Sequence, residues 1–438
     1  MRRAIRLPNN QRMLPVAKRL TLYIMIGLVL GIIVGAILNW TLTPESIAEL
    51  SKWFKLVTDI FLRLIKMIIA PLVFATLVSG IVHMGDTASL GRVGLKTMTW
   101  FIGATIVSLT LGMILVNLLH PGIGTSFVLP PPDATAGIAK PSSDVFTIIS
   151  EMFPKSIFEG MANNTLLQIV IFSLFFGVAM TAVGEKAAPI VKGVDALVDV
   201  MLQVTNYVMR MSPLAVFAAM AKVIAVNGLG ILGTFAWFIG TFYFGLAVLW
   251  LVLFLAAFLV IGPRAGTLIR YIREPVLLAF STASSEAAYP RTLEALDRFG
   301  VPPKIGSFVL PLGYSFNLDG SMMYMTFATL FIAQLYGIEL SFSQQVAMFL
   351  TLMLTSKGMA AVPRASLVVI SGTMAQFGIP EAGLVLILAI DQFLDMGRSG
   401  TNVVGNAVAT AVVAKWEGEL DRPEPPEIEP PHAPTSRA

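Results

Sequence analysis

Apolar runs of roughly 20 residues, the length a helix needs to cross a bilayer, recur along the chain from residue 20 to residue 417. That feature removes most folds from consideration. The hydrocarbon core offers no water, so each spanning segment must pair its own backbone N–H and C=O groups, and runs of this length do so as helices. The clearest runs are 20–40, 94–119, 163–183, 229–262, 303–336 and 382–414. Two longer ones, 53–84 and 188–226, carry scattered polar residues and are expected to tilt or to pack inside protein. The expectation is an all-α membrane protein with eight transmembrane helices. Composition agrees, with 56% hydrophobic and 13% charged residues where a soluble domain carries about 25% charged.

Charge sets the orientation. Arg2, Arg3, Arg6, Arg12, Lys18 and Arg19 precede the first run with no acid among them, which places residues 1–19 in the cytoplasm as a basic arm. The loop 41–52 sets Glu45 and Glu49 against Lys52 and suits the outer side. The first run is longer than a signal-peptide core and lacks an Ala-x-Ala-like cleavage site, so it reads as an uncleaved span. Residues 120–145, rich in Pro, Gly and Ser, read as an external loop, and 418–438 as an acidic, Pro-rich tail expected to be disordered. The net charge of +4 comes from the basic arm, so nucleic acid is a poor partner. With no cysteine the chain has no disulfide or thiolate chemistry, and His83, His120 and His432 are too scattered for a metal centre.

Two segments begin apolar and then break into small polar residues around a proline: TASSEAAYP, Thr282 to Pro290, and TSKGMAAVP, Thr355 to Pro363. They share Thr at the first position, Ala-Ala at the sixth and seventh, and Pro at the ninth. Each precedes a span carrying polar groups: Asn317 and Asp319 after the first, Asp391 and Asp395 after the second. Broken backbone at membrane depth is tolerated where it is buried in protein or lines a wet cavity. Matched interruptions in corresponding halves of a chain point to a transporter's binding site. The competing reading, ordinary packed spans that contain Gly, Ser and Pro, would suit one such segment better than two.

In the last run Asp391, Asp395, Arg398, Asn402 and Asn406 fall within an arc of roughly 80° at 100° per residue, so they share one helix face. Each acid or Arg near the bilayer centre costs on the order of 2.5–3.5 kcal/mol. Mutual neutralisation of Asp395 and Arg398, three apart, would leave Asp391 and the two amides without a reason. As chemistry, Arg398 offers a planar fork for a carboxylate, Asp395 can hold an ammonium group, and helix ends at the two broken segments can take a second carboxylate. That set fits an acidic amino acid. NLDG, Asn317 to Gly320, interrupts another apolar run and reads as an unwound turn that presents oxygens to a small cation.

SSEAAYP (284–290), GYSFNLDGS (313–321), LTSKGMAAVP (354–363), and DMGRSGTNVVGN (395–406) with AKWEGE (414–419) together resemble the dicarboxylate/amino acid:cation symporters, the glutamate transporter family, in its bacterial proton/glutamate branch. The resemblance runs from the first span to residue 420. It implies eight spans plus two re-entrant hairpins in inverted repeats, a homotrimer in the bacterial inner membrane, and no cofactor. It also implies a scaffold of 20–84 (spans 1 and 2) and 120–228 (external loop, spans 4 and 5). An elevator-type transport domain would comprise 85–119 (span 3) and 229–417 (span 6, first hairpin, span 7, second hairpin, span 8). By resemblance, Arg398 holds the substrate's side-chain carboxylate and Asp395 its amino group. Asn402 and Ser399 complete the polar site, and Ser284, Ser285, Val362, Pro363 and Ala365 line it from the hairpins. Asp395, which dicarboxylate-only relatives lack, favours glutamate or aspartate.

The coupling cation is assigned to Asn317, Asp319, Asp391, Asn406 and Thr105, with Glu286 either a proton carrier or a polar group on the wet side of the first hairpin. Departures from the family pattern weigh against sodium. Asn406 stands where sodium-driven members place an Asp, and Phe101 and Ala104 stand where two hydroxyls are usual, leaving Thr105. A residual sodium site would consist of Asn317, Asp319 and Asn406; the expectation is proton-coupled uptake of glutamate or aspartate, with a sodium-coupled glutamate/aspartate symporter or a C4-dicarboxylate:cation symporter as the alternatives. Arg364 adds bulk and charge at the expected gate. A passive channel would need a continuous polar lining over several spans. An intramembrane enzyme would need a His–Glu metal pair, a Ser–His pair or a paired-Asp context, and none is evident.

Overall fold

A computed structural model describes residues 14–84, 87–124, 150, 153–228, 235–356 and 365–420. The basic arm up to residue 13, most of the expected external loop, the tip of the second broken segment and the tail beyond residue 420 lie outside these described residues. Among them there is no strand. The helices are α1 (Leu14–Thr41), α2 (Pro44–Met84), α3 (Thr87–Leu119), a short α4 (Ile157–Ala162), α5 (Leu166–Val183), α6 (Ala188–Met209) and α7 (Ser212–Asn227). They continue with α8 (Ala236–Ile261), α9 (Arg264–Thr282), α10 (Tyr289–Phe299), α11 (Pro303–Phe316), α12 (Asp319–Leu335), α13 (Phe342–Thr355), α14 (Ala365–Gln376) and α15 (Gly383–Trp416).

Among the described residues five helical stretches are long and apolar enough to cross a membrane: Leu22–Thr41, Pro44–His83, Ser89–Leu119, Leu167–Met209 and Ala236–Ile261. The runs expected at 303–336 and 382–414 are also helical, the first interrupted at Asn317 and Leu318, the second carried by the 34-residue α15. The run 188–226 divides into α6 and α7, because Pro213 sits in the first turn of α7, where its missing N–H costs nothing and a new helix starts readily. The expected tail begins differently. Glu419 accepts from Lys304 Nζ at 2.7 Å, and the Leu420 carbonyl accepts from Arg264 Nη1 at 3.2 Å, so residues 418–420 still belong to the packed body.

The helices pack in two groups. In one, α1 lies along α7, and α2 contacts α5, α6 and α7. In the other, α3, α8, α9, α11 and α12 surround α15. The α1–α7 contact rests on Gly27, Gly31 and Gly35, whose added Cβ atoms would collide with the carbonyl oxygens of Pro213, Phe217 and Ala221. Small residues at four-residue spacing let two backbones meet in lipid, where apolar burial gives helices no net attraction. In the second group α15 is enclosed so completely that Val403, Val404, Ala407, Val408 and Ala411 to Ala414 are at most 1% exposed. At its end Glu417 pairs with Arg92 Nε at 3.0 Å and Lys96 Nζ at 2.7 Å, both on α3. Burial pushes the Glu417 carboxyl up, but the hydrogen bonds from Lys96 and Arg92 outweigh it and hold the group below the usual carboxylate range. Helix α2 bridges the two groups through its contact with α11.

Candidate functional site

The polar stripe of α15 meets the break between α11 and α12. Asn317 (φ −128°, ψ 63°) and Leu318 (φ −97°, ψ 67°) leave helical geometry, which exposes backbone groups that a continuous helix would pair internally. Asn402 repairs part of the loss. Its Oδ1 accepts from the N–H of Gly320 at 2.9 Å and of Ser321 at 3.3 Å, and its Nδ2 donates to Ser321 Oγ at 3.2 Å. Gly320 is required here, since a Cβ would run into the Arg398 carbonyl and the Thr401 side chain. The expected unwound NLDG turn is present, and Asn402 spends its amide holding the start of α12.

On one side of Asn402 lies Arg398, 1% exposed. Its Nη2 donates to Asp391 Oδ1 at 3.0 Å and stands 3.0 Å from Asp395 Oδ1. The guanidinium lies over the Tyr324 ring, 4.0 Å from its centroid, and the Tyr324 hydroxyl donates to the same Asp391 oxygen at 3.2 Å. Arg398 Nε and Nη1 have no hydrogen-bond partner. Asp391 is buried, whereas the Asp395 side chain remains 35% exposed. Buried guanidinium donors without an acceptor are costly, so the open part of this fork suits a carboxylate, and the half-open Asp395 beside it suits a cation on the same molecule.

On the other side lies a cluster of amides and one acid, all at most 1% exposed. Asn317 Nδ2 donates to Asp319 Oδ2 at 3.0 Å and to Asn406 Oδ1 at 3.2 Å, and Ser108 Oγ of α3 donates to Asp319 Oδ1 at 3.0 Å. Asn317 Oδ1 and Asn406 Nδ2 have no partner. Gly313 and Gly405 press against it, since a Cβ at the first would strike Asn406 Oδ1 and at the second Asp319 Oδ2. Thr105 is buried on α3 one turn before Ser108. The Phe101 ring would lie 3.4 Å from a Cβ at Gly313, so an apolar face closes this side. Oxygens of this kind around one buried carboxylate have the chemistry that a small hard cation or a proton requires.

The remaining expected site residues fall in three places. Ser399 is buried on α15, 4% exposed. Ser284 and Ser285 form the turn between α9 and α10, where Ser284 Oγ accepts from the Ala287 N–H at 3.2 Å. Ala283 before them takes a left-handed φ of 49°, a strained state for a residue with a Cβ and one that recurs at ligand sites. Glu286 stands at the same turn, which packs against α2. Val362, Pro363 and Arg364 lie outside the described residues, as does the side chain of Ala365.

Sequence reasoning missed Tyr324, Ser108, Ser321 and the Trp250 Nε1 bond to Thr401 Oγ1 at 2.8 Å. For Ser108 a signal existed, three residues from Thr105 on the same face of α3. Tyr324 offered none, because an aromatic in an apolar run is usually packing.

A family model described as the sodium:dicarboxylate symporter family matches residues 20–416. The proton/sodium-glutamate symport protein of Bacillus caldotenax is 39% identical over 91% of this chain and 94% of its own. The proton/glutamate-aspartate symporter of Escherichia coli (strain K12) is 38% identical over 91% and 93%, and the C4-dicarboxylate transport protein of Rhizobium johnstonii 39% over 90% and 89%. Matched from its first helix to the end of α15, the chain belongs to the sodium:dicarboxylate symporter family, a family of transporters and not of enzymes.

Proposed function

We propose that this cation-coupled symporter carries L-glutamate or L-aspartate into the cell together with protons. The observation that carries the reading is the open guanidinium of Arg398 beside the half-exposed Asp395. Relatives named for glutamate and for C4-dicarboxylates are equally similar, at 38–39% identity, so overall identity does not choose between them. Asp395 does. It gives an ammonium group a counter-charge within a few ångströms of the carboxylate site, and a C4-dicarboxylate has no use for it. Arg398 takes the side-chain carboxylate, and Ser284, Ser285 and the segment 362–365 take the second. Asn402 shapes this site from behind, through its hold on α12.

Proton coupling is supported by the neutral Asn406 and by Phe101 and Ala104, apolar where the family pattern has hydroxyls, so that fewer charged and hydroxyl ligands are offered than sodium demands. Sodium is the second reading, favoured by the unpartnered Asn317 Oδ1. In our reading the chain spans the inner membrane eight times with its N-terminus inside. The pairs α9–α10 and α13–α14 are re-entrant hairpins, and a trimer of α1, α2 and α5 to α7 holds a moving body of α3 and α8 to α15. One comparison tests the coupling: uptake of labelled glutamate into proteoliposomes under a pH gradient without sodium, against a sodium gradient at uniform pH. Accumulation in the first arm is expected; accumulation confined to the second overturns proton coupling, and accumulation in neither overturns the substrate.

A further inference from the structure

Asp395 is the most open member of the Arg398 cluster. Its side chain is 35% exposed, while those of Arg398 and Asp391 are 2% and 3% exposed. A carboxylate that discriminates among ligands works best when it is held in place before the ligand arrives. The polar stripe of α15 does not account for that hold by itself.

Helix α8 supplies it. Tyr243, Leu246 and Trp250 fall at three- and four-residue steps on one face of α8, and that face follows α15. The Tyr243 hydroxyl donates to the Phe393 carbonyl at 2.6 Å, and Trp250 Nε1 donates to Thr401 Oγ1 at 2.8 Å. Between these bonds, a Cβ at Gly397 would strike Leu246 Cδ1 and would lie 3.1 Å from the Tyr243 ring. Residues 393 and 397 are one helical turn apart, the spacing at which a carbonyl accepts from an N–H. Tyr243 therefore grips both ends of the turn that carries Asp395.

The same ring reaches α9. It meets Phe280 edge-on, with centroids 6.4 Å apart. Phe280 also seats on α15, since a Cβ at Gly400 would lie 3.7 Å from Phe280 Cβ. Four and five residues beyond Phe280 come Ser284 and Ser285, at the turn between α9 and α10. Tyr243 thus touches the supports of two groups, through its hydroxyl for Asp395 and through its ring for the α9–α10 turn. An α-amino acid carries its ammonium group and one carboxylate on a single carbon, so the two supports must stand at a fixed separation to take both.

We propose that Tyr243 is a positioning residue that sets Asp395 against the α9–α10 turn, and so makes the site select α-amino acids over C4-dicarboxylates. The inference rests on the reading that Asp395 takes the ammonium group, and it deepens that reading by naming what holds Asp395 ready.

Equilibrium binding of labelled glutamate, aspartate and succinate to the parent and its variants tests it. Tyr243→Phe removes one oxygen and keeps the ring, so the fold is expected to survive. Affinity for both amino acids should fall about three- to tenfold, the range that one hydrogen bond carries, with succinate within about twofold of the parent. With Asp395→Asn the hydroxyl has no ammonium site left to position, so the double variant should bind amino acids no more weakly than Asp395→Asn alone. Tyr243→Leu also frees α9 and should add a loss that glutamate and succinate share. Equal losses for amino acids and succinate in Tyr243→Phe, or a double variant showing both single losses in full, would leave Tyr243 as packing and overturn the inference alone. A parent that binds succinate and neither amino acid overturns the substrate reading and this inference together.

Discussion

The two polar clusters flanking Asn402 are built from one stripe of one helix, but they finish with opposite kinds of unmet demand. Around Arg398 two acids and an aromatic ring converge on a cation and still leave two of its three nitrogens without partners. Around Asp319 amides and a hydroxyl converge on an acid, leaving an amide oxygen and an amide nitrogen unmet. In the proposed reading the first takes an anion that carries its own cation, and the second a cation or proton. Asn402 stands between them with its side chain committed to the first N–H groups of α12. The two clusters therefore share one wall, and whatever shifts α12 reaches both. A symporter needs two separate sites whose occupancies are felt through one element.

The comparison breaks most completely at Arg398. Arg398→Ala removes the guanidinium that Asp391 and Asp395 share, and breaking a buried ion pair from one side costs about 3–5 kcal/mol. Glutamate affinity is expected to fall several hundredfold or more by equilibrium binding, with dicarboxylates lost equally. Glutamate affinity within tenfold of the parent would contradict the assignment. Gly405→Ala attacks the other cluster alone, since its Cβ would overlap Asp319 Oδ2 while Arg398 lies two turns away. Gradient-driven uptake should drop about a hundredfold, in line with overpacking of a tight site, with substrate binding at saturating cation much less affected. Equal losses in both measurements would mean that the clusters are one site. Asp395→Asn should then separate substrates, weakening amino acids about ten- to thirtyfold and leaving C4-dicarboxylates unchanged or tighter, as competition binding would show.

How much of this was legible follows from the cost of each residue. Asp391, Asp395 and Arg398 stood out because charge is expensive at membrane depth, and NLDG because Gly and Asn interrupt an apolar run. The unwound turn is where that motif placed it. Partners supplied by other helices were hidden: Ser108 lies 211 residues from Asp319, and Tyr324 lies 67 from Asp391. A hydroxyl in a span is ordinary until a carboxylate arrives beside it. Asn402 was read from resemblance as part of the polar site, while its bonds to the Gly320 and Ser321 N–H groups follow from how α15 crosses α12. The glycines of α1 also became informative only with α7 in place, since spacing alone does not identify the neighbouring carbonyls.

The smallest effect bears on why Asp391 is present. Tyr324 Oη and Arg398 Nη2 both donate to Asp391 Oδ1, so the hydroxyl competes with the guanidinium for one oxygen. Tyr324→Phe keeps the ring beneath Arg398 and removes that competitor. Asp391 then draws Arg398 more strongly to itself, and the fork becomes less available to a ligand. A hydroxyl bond to a charged group contributes about 1.5–3 kcal/mol, part of which the remaining Arg398 bond recovers. The expected result is glutamate binding weakened about three- to tenfold, with the cation dependence of uptake unchanged because the Asp319 cluster is untouched. Tyr324→Leu, which also removes the ring, should weaken binding further. If Tyr324→Phe tightens binding instead, Asp391 orients Arg398 toward the ligand and does not compete with it.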